Sequence, residues 1–120
     1  TYTGVTYLYG GKGNDSLIGG SGNDVFKGGE GDDLIDGGAG NDGLYGEAGK
    51  DIFVIGTGRD TIYDFENDVD KLSLSGGFTF NDLDLKVSGN NTNILQDNQI
   101  LVTLIGVDIS LIDQNDFTSV

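Results

Sequence analysis

Cut into nines from Thr1, the first half of the chain stays in one register: TYTGVTYLY, GGKGNDSLI, GGSGNDVFK, GGEGDDLID, GGAGNDGLY, GEAGKDIFV and IGTGRDTIY. Position four is glycine in all seven units (Gly4, Gly13, Gly22, Gly31, Gly40, Gly49, Gly58). Position six is aspartate in six of them (Asp15, Asp24, Asp33, Asp42, Asp51, Asp60), with Thr6 in the first. Position eight is always large and apolar: Leu8, Leu17, Phe26, Ile35, Leu44, Phe53, Ile62. Three columns in phase over seven units constrain the fold more tightly than any other feature of the sequence.

Each unit divides into a turn and a short strand. Glycines at positions one, two and four permit positive φ and close backbone approach, so the first six residues curl tightly. The last three are extended and send one side chain inward, because strand side chains alternate faces. One unit cannot bury that side chain alone, so units must stack, two to a coil, as a solenoid. The expected fold is all-β: a parallel β-roll over residues 1–63, followed by a small β cap over residues 64–120.

In a two-unit coil, consecutive turns lie on opposite edges and turns two units apart stack directly. Two carboxylate ladders follow, Asp15, Asp33 and Asp51 on one edge and Asp24, Asp42 and Asp60 on the other. Stacked carboxylates repel one another unless a cation lies between them. The chain carries 20 acidic residues against 6 basic ones, a formal charge of −14, which also disfavours nucleic acid and anionic membranes as partners. With no Cys and no His, thiolate and zinc chemistry are absent. Calcium fits the remaining donors, since it takes six to eight oxygens from carboxylates and backbone carbonyls. The spacing of an EF-hand and that of a phosphate-binding loop are both missing.

The nonapeptide GGxGxDxUx, with U large and apolar, resembles the repeat of the RTX calcium-binding proteins, which form parallel β-rolls. The resemblance implies Ca2+ between stacked turns, held by the six ladder aspartates. Turn carbonyls around Gly11, Gly13, Gly20, Gly22, Gly29, Gly31, Gly38 and Gly40 would complete each shell, for about four or five ions in all. Four ions would lower the net charge to about −6. Glu47 in the second place of unit six, Ile55 in the first place of unit seven and Thr6 in unit one depart from the pattern. Asp32 and Asp36 are expected to add only local negative charge. Without calcium the glycine-rich half is expected to be disordered.

After Tyr63 the register ends. Leu83, Leu85 and Val87 alternate with polar residues, SGNN marks a turn, and Ile100 to Ile105 is an apolar run. About four strands are expected, closing with a helical turn near Ser110–Asn115 capped by Ser110. The stretch DTIYDFENDVDKLSLSG is similar to the end of the roll in secreted serralysin metalloproteases. That likeness makes Asp64, Asp68 or Asp70 a ligand for a terminal calcium, with Asp70 best placed, while Asp64 could equally be a turn residue. The ending DQNDFTSV resembles the C-terminal signal read by type I secretion systems.

The functional expectation is a calcium-binding module that folds outside the cell after type I export by an ABC exporter. Absence of Met and the opening TYTGVTYLYG suggest a piece of a larger secreted bacterial protein, with an N-terminal effector domain as cargo. No apolar run is long enough to span a membrane. Two alternatives are a calcium-rigidified adhesion, surface-layer or glycan-binding module, and an accessory module of a secreted hydrolase, protease or epimerase. A chain with no His or Cys, whose carboxylates sit in metal turns, offers no catalytic constellation.

Overall fold

The computed structural model describes residues 7–55, 58–66, 69–74 and 80–118. The repeats form strands β1 (Tyr7–Tyr9), β2 (Ser16–Ile18), β3 (Val25–Lys27), β4 (Leu34–Asp36), β5 (Gly43–Tyr45), β6 (Ile52–Ile55) and β7 (Asp60–Ile62). Odd and even strands fall into different sheets. Strands β1, β3, β5 and β7 pair in parallel in one, and β2, β4 and β6 in the other. The chain is therefore a parallel β-solenoid, as the period requires.

The register follows the apolar column. Leu8 pairs with Phe26, Phe26 with Leu44 and Leu44 with Ile62. Leu17 pairs with Ile35 and Ile35 with Phe53 in the opposite sheet. Phe26, Ile35, Phe53 and Ile62 are fully buried between the sheets, whereas Leu8 and Leu17 in the first described coil are only partly so. Each of these large side chains contributes about 1.5–3 kcal/mol on burial, and it does so only because the next coil covers it.

Beyond Tyr63 both sheets continue into the cap. Strand β8 (Lys71–Leu74) pairs in parallel with β6, with Phe53 opposite Leu72, so this coil is one residue longer than its predecessors. Strands β9 (Asp84–Ser88), β10 (Asn91–Gln96) and β11 (Gln99–Leu104) form an antiparallel meander. Strand β11 pairs in parallel with β7, and β12 (Phe117–Thr118) pairs in parallel with β8. Ile94, Val102 and Leu104 extend the core over the last coil. The cap thereby pairs the strand edges that an open solenoid would expose.

The cap departs from expectation in two respects. Five strands follow Tyr63 among the described residues, not four, because β12 is a two-residue extension of the roll, too short to show an alternation of its own. The closing helical turn is also two separate 3-10 turns, Ile109–Leu111 and Gln114–Asp116. Their caps are Asp108 and Asp113. Asp108 Oδ1 accepts from both the backbone N–H and the hydroxyl of Ser110, at 2.9 Å each, so the serine donates within the first turn instead of capping it.

Candidate metal centre

The glycine-rich turns stack at the two edges of the roll. On one edge the N–H of Asp15 donates to Asp33 Oδ1 at 2.8 Å, that of Asp33 to Asp51 Oδ1 at 2.9 Å, and that of Asp51 to Asp70 Oδ1 at 2.9 Å. On the other, Asp24 N–H donates to Asp42 Oδ1 at 2.8 Å and Asp42 N–H to Asp60 Oδ1 at 3.0 Å. Every ladder carboxylate after the first coil is thus held by the backbone of the turn before it. Asp70 occupies the same place although its spacing from Asp51 is nineteen residues rather than eighteen.

One oxygen of each carboxylate from Asp33 onward is accounted for in this way, and the other is what matters chemically. Oδ2 of Asp15, Asp33, Asp42 and Asp51 is buried and has no hydrogen-bond donor among the described residues. A buried charged oxygen without a partner is costly, so such atoms call for a cation or a proton. At Gly10 an added methyl carbon would sit 2.6 Å from Asp15 Oδ2 and 2.6 Å from the Gly28 carbonyl oxygen. Carboxylate and carbonyl oxygens of successive coils converge on that space, which only glycine leaves open. The residues present therefore fit calcium.

The other glycines stack coil on coil. Gly29 lies over Gly11, Gly31 over Gly13, Gly38 over Gly20 and Gly40 over Gly22, each against the carbonyl of the one below. At Gly31, φ is 109° and a methyl carbon would meet the Gly13 carbonyl carbon at 2.6 Å. Positions two and four supply most of the positive φ values, whereas Gly10, Gly19, Gly28, Gly37 and Gly46 at position one do not have them. Position one is glycine for space. Among the described residues no three carboxylates gather into a ready-made cluster, so a cation here draws much of its shell from the backbone.

Burial pushes the Asp51 and Asp60 carboxyls up to about 7, and Asp70 up to about 6. In each case desolvation is the largest cause, and neighbouring carboxylates add to it: Asp70 and Asp33 for Asp51, Asp42 for Asp60, Glu66 and Asp64 for Asp70. Donated N–H groups offset part of the rise. Asp33 and Asp42 are raised for the same first reason. Without a cation these carboxyls hold their protons to higher pH than a free aspartate does.

Two features escape the six-aspartate reading. Position five forms a second ladder, running the opposite way: Asp32 N–H donates to Asn14 Oδ1 (2.8 Å), Lys50 N–H to Asp32 Oδ1 (2.7 Å), Asn41 N–H to Asn23 Oδ1 (2.8 Å) and Arg59 N–H to Asn41 Oδ1 (2.9 Å). Asp32 is exposed, yet it ties two coils together besides adding charge. Asp36 Oδ1 likewise accepts from Gly38 N–H at 3.0 Å. The Asn or Asp preference of position five was visible in GND, GND, GDD and GND, and the acceptor geometry explains it.

At the end of the roll Asp64 accepts from Gly46 N–H at 2.9 Å and Glu47 N–H at 2.8 Å. In earlier coils the first-position N–H donates to a strand carbonyl instead, as Gly28 does to Tyr45. Glu47, which replaces a glycine, adopts φ 64° under this double acceptor. Asp70 Oδ2 accepts from Glu66 N–H at 2.9 Å, so its second oxygen is partnered where those of Asp15, Asp33, Asp42 and Asp51 are not. Gly4, Thr6 and Asp68 lie outside the described residues.

Comparison with known proteins agrees with this geometry. The chain is similar over 97% of its length, and 78% of the other's, to the solution structure of the AlgE6R3 subunit of the Azotobacter vinelandii mannuronan C5-epimerase, at 27% identity and a TM-score of 0.74. The AlgE6R2 subunit of the same enzyme matches at 26% identity and a TM-score of 0.61, over 98% of this chain and 92% of that one. The crystal structure of the extracellular lipase LipA from Serratia marcescens shares the fold at 24% identity and a TM-score of 0.50, with this chain covering 20% of it. A comparison with the curated proteins finds no match. The model of the RTX calcium-binding nonapeptide repeat, in four copies, matches residues 3–35 and 27–62. The stacked turns with their paired carboxylates and the family match lead to one conclusion: the chain belongs to the RTX calcium-binding nonapeptide repeat family.

Proposed function

We propose that the chain is a calcium-driven folding module of a longer secreted protein. The observation that carries this reading is the set of buried, donorless Oδ2 atoms on Asp15, Asp33, Asp42 and Asp51. Calcium between stacked turns would be held by Asp15 with Asp33, Asp33 with Asp51, Asp24 with Asp42 and Asp42 with Asp60, together with the glycine carbonyls of those turns. Asp51 with Asp70 forms a fifth pairing, in which Asp70 Oδ2 already accepts from Glu66 N–H, so about four or five ions bind. Bound calcium neutralises the ladders and supplies what the glycine-rich units lack in burial. The chain then stays open where calcium is scarce, passes a type I exporter in that form, and folds outside the cell.

In this reading the module itself is not an enzyme. Its work is done for a partner domain in the same protein, and its likeness to subunits of a mannuronan epimerase supports an accessory role beside an enzyme that acts on acidic polysaccharide. The test is far-UV circular dichroism of the chain during a calcium titration from chelator. Cooperative conversion from a disordered to a β spectrum is the expected result. A β spectrum indifferent to chelator overturns the folding switch.

A further inference from the structure

Strand β9 ends the seven-stranded sheet, paired with β10 on one side and with no strand on the other among the described residues. We propose that this edge pairs with the same edge of a second copy of the chain, antiparallel about a two-fold axis at Leu85, so that two rolls share one continuous sheet.

Backbone geometry decides which groups the edge offers. The hairpin of β9 and β10 turns through two residues, Gly89 coming first with φ 62°, and Ser88 stands opposite Asn91. Such a hairpin closes on a hydrogen-bonded pair, and bonded and non-bonded pairs then alternate. Ser88, Lys86 and Asp84 therefore bond to β10, while Leu85 and Val87 turn their N–H and C=O groups outward. Leu83 offers its carbonyl alone, because its N–H already donates to Phe80 O at 3.1 Å.

The side chains leave this edge uncovered. Asp84, Lys86 and Ser88 are exposed, and Val87 is 63% exposed. Val87 shares its face with Thr92, whose hydroxyl donates to the Val107 carbonyl, and this brings the 3-10 turn carrying exposed Leu111 against β9. A long open edge with apolar residues on one face is a template for another strand.

Charge selects the occupant and its register. Two symmetric registers overlap most of the strand and match outward groups with outward groups, one centred on Lys86 and one on Leu85. Centring on Lys86 sets that lysine directly against its own copy, where like charges repel. Centring on Leu85 sets Asp84 opposite Lys86 twice, bonds Leu85 to Leu85, and lets each Val87 N–H reach the Leu83 carbonyl of the other copy. A strand complementary to β9 from Val87 back to Asp84 must read apolar, acidic, apolar, basic. Leu83, Asp84, Leu85 and Lys86 are that sequence, so the chain is its own complement and the contact closes as a two-fold dimer.

Pairing of one short strand per copy buries less than the roughly 1,200 Å² of a stable complex, so the association is weak. At the low micromolar concentrations of spectroscopic titrations the chain is a monomer. The edge exists only while β11 holds the cap to β7 of the folded roll, so the proposal rests on the calcium reading.

The test is sedimentation equilibrium of the full chain in saturating calcium, from about 10 μM to 1 mM, with circular dichroism of the same samples. A reversible monomer–dimer equilibrium is expected. Asp84→Lys and Lys86→Asp each turn two attractive pairs into repulsive ones and should weaken it by about tenfold with the spectrum unchanged. Combined in one chain they reverse both charges and should restore it to within about threefold. A folded chain that stays monomeric throughout, a dimer indifferent to either single change, or a double change that restores nothing overturns the proposal. A chain that stays unfolded in calcium overturns the folding proposal as well, which keeps the two failures distinct.

Discussion

Asp33 Oδ1 accepts a 2.8 Å hydrogen bond from the backbone nitrogen of Asp15, eighteen residues earlier, while its Oδ2 is buried without a donor among the described residues. The same side chain therefore fastens one coil to the next and leaves one oxygen directed at the turn. Structure and cation binding are joined in a single residue, and they should fail together.

Asp33 takes part in two pairings, with Asp15 below and Asp51 above. Asp33→Ala should raise the calcium concentration at the folding midpoint by about tenfold, the effect of roughly 1.4 kcal/mol. Asp84→Asn removes the same charge from an exposed site on β9 and should leave the midpoint nearly unmoved. Equal titrations for wild type and Asp33→Ala would reject the ladder as the calcium site.

The glycines of the repeat look equivalent in sequence and are not equivalent in space. Gly31→Ala forces a side chain into φ 109° and against the Gly13 carbonyl, and the conformational penalty alone is about 1–2 kcal/mol. Nothing lies within 4 Å of a methyl at Gly20, and its φ is not positive. Gly20→Ala should be neutral or stabilise by about 0.4–1 kcal/mol through the unfolded chain. Thermal melts in saturating calcium decide the matter, and equal losses at both positions would contradict the stacking described.

The roll was legible because its information is periodic: one apolar residue at position eight and one aspartate at position six recur in phase, and stacking is the only way to bury the first. Both ladders follow from that period. The cap was less legible for a physical reason. Strand β12 is two residues long and is paired by the roll rather than by an alternation of its own, and Asp108 outcompetes Ser110 because a carboxylate can accept from both the serine N–H and its hydroxyl. The position-five ladder was hidden differently. Asn and Asp are ordinary turn residues, and only the stacked backbone shows that Asn14 and Asp32 accept from the next coil.

Asp64 and Asp70 divide the end of the roll between them. Asp64 accepts two N–H groups from the turn at Gly46 and Glu47, so Asp64→Ala should cost about 1–3 kcal/mol of stability in saturating calcium. Asp64→Asn keeps one acceptor and should lose less. Asp70→Asn should instead shift the calcium midpoint, because Asp70 extends the ladder from Asp51. A calcium midpoint that moves as far for Asp64→Asn as for Asp70→Asn would make Asp64 a ligand.

Asp51 and Asp60 are pushed up to about 7 and Asp70 to about 6 in the metal-free fold, from an ordinary 3.8. A folded state with raised carboxyl pKa values binds more protons than the unfolded chain, so acid favours it. That advantage is complete below about 4, declines as pH rises above it, and is gone once pH has passed the folded values of about 6 to 7. In chelator, residual β structure should therefore be greatest at about pH 4 and below, smaller at pH 5.5 and smallest at pH 8. Calcium must displace the same protons, so its apparent affinity should increase over that interval, with proton release detectable in weakly buffered solution. Circular dichroism against pH in chelator, followed by calcium titrations at pH 5.5 and 8, makes the comparison. Metal-free β structure that grows with pH would mean that these carboxylates are stabilised as anions by something other than calcium.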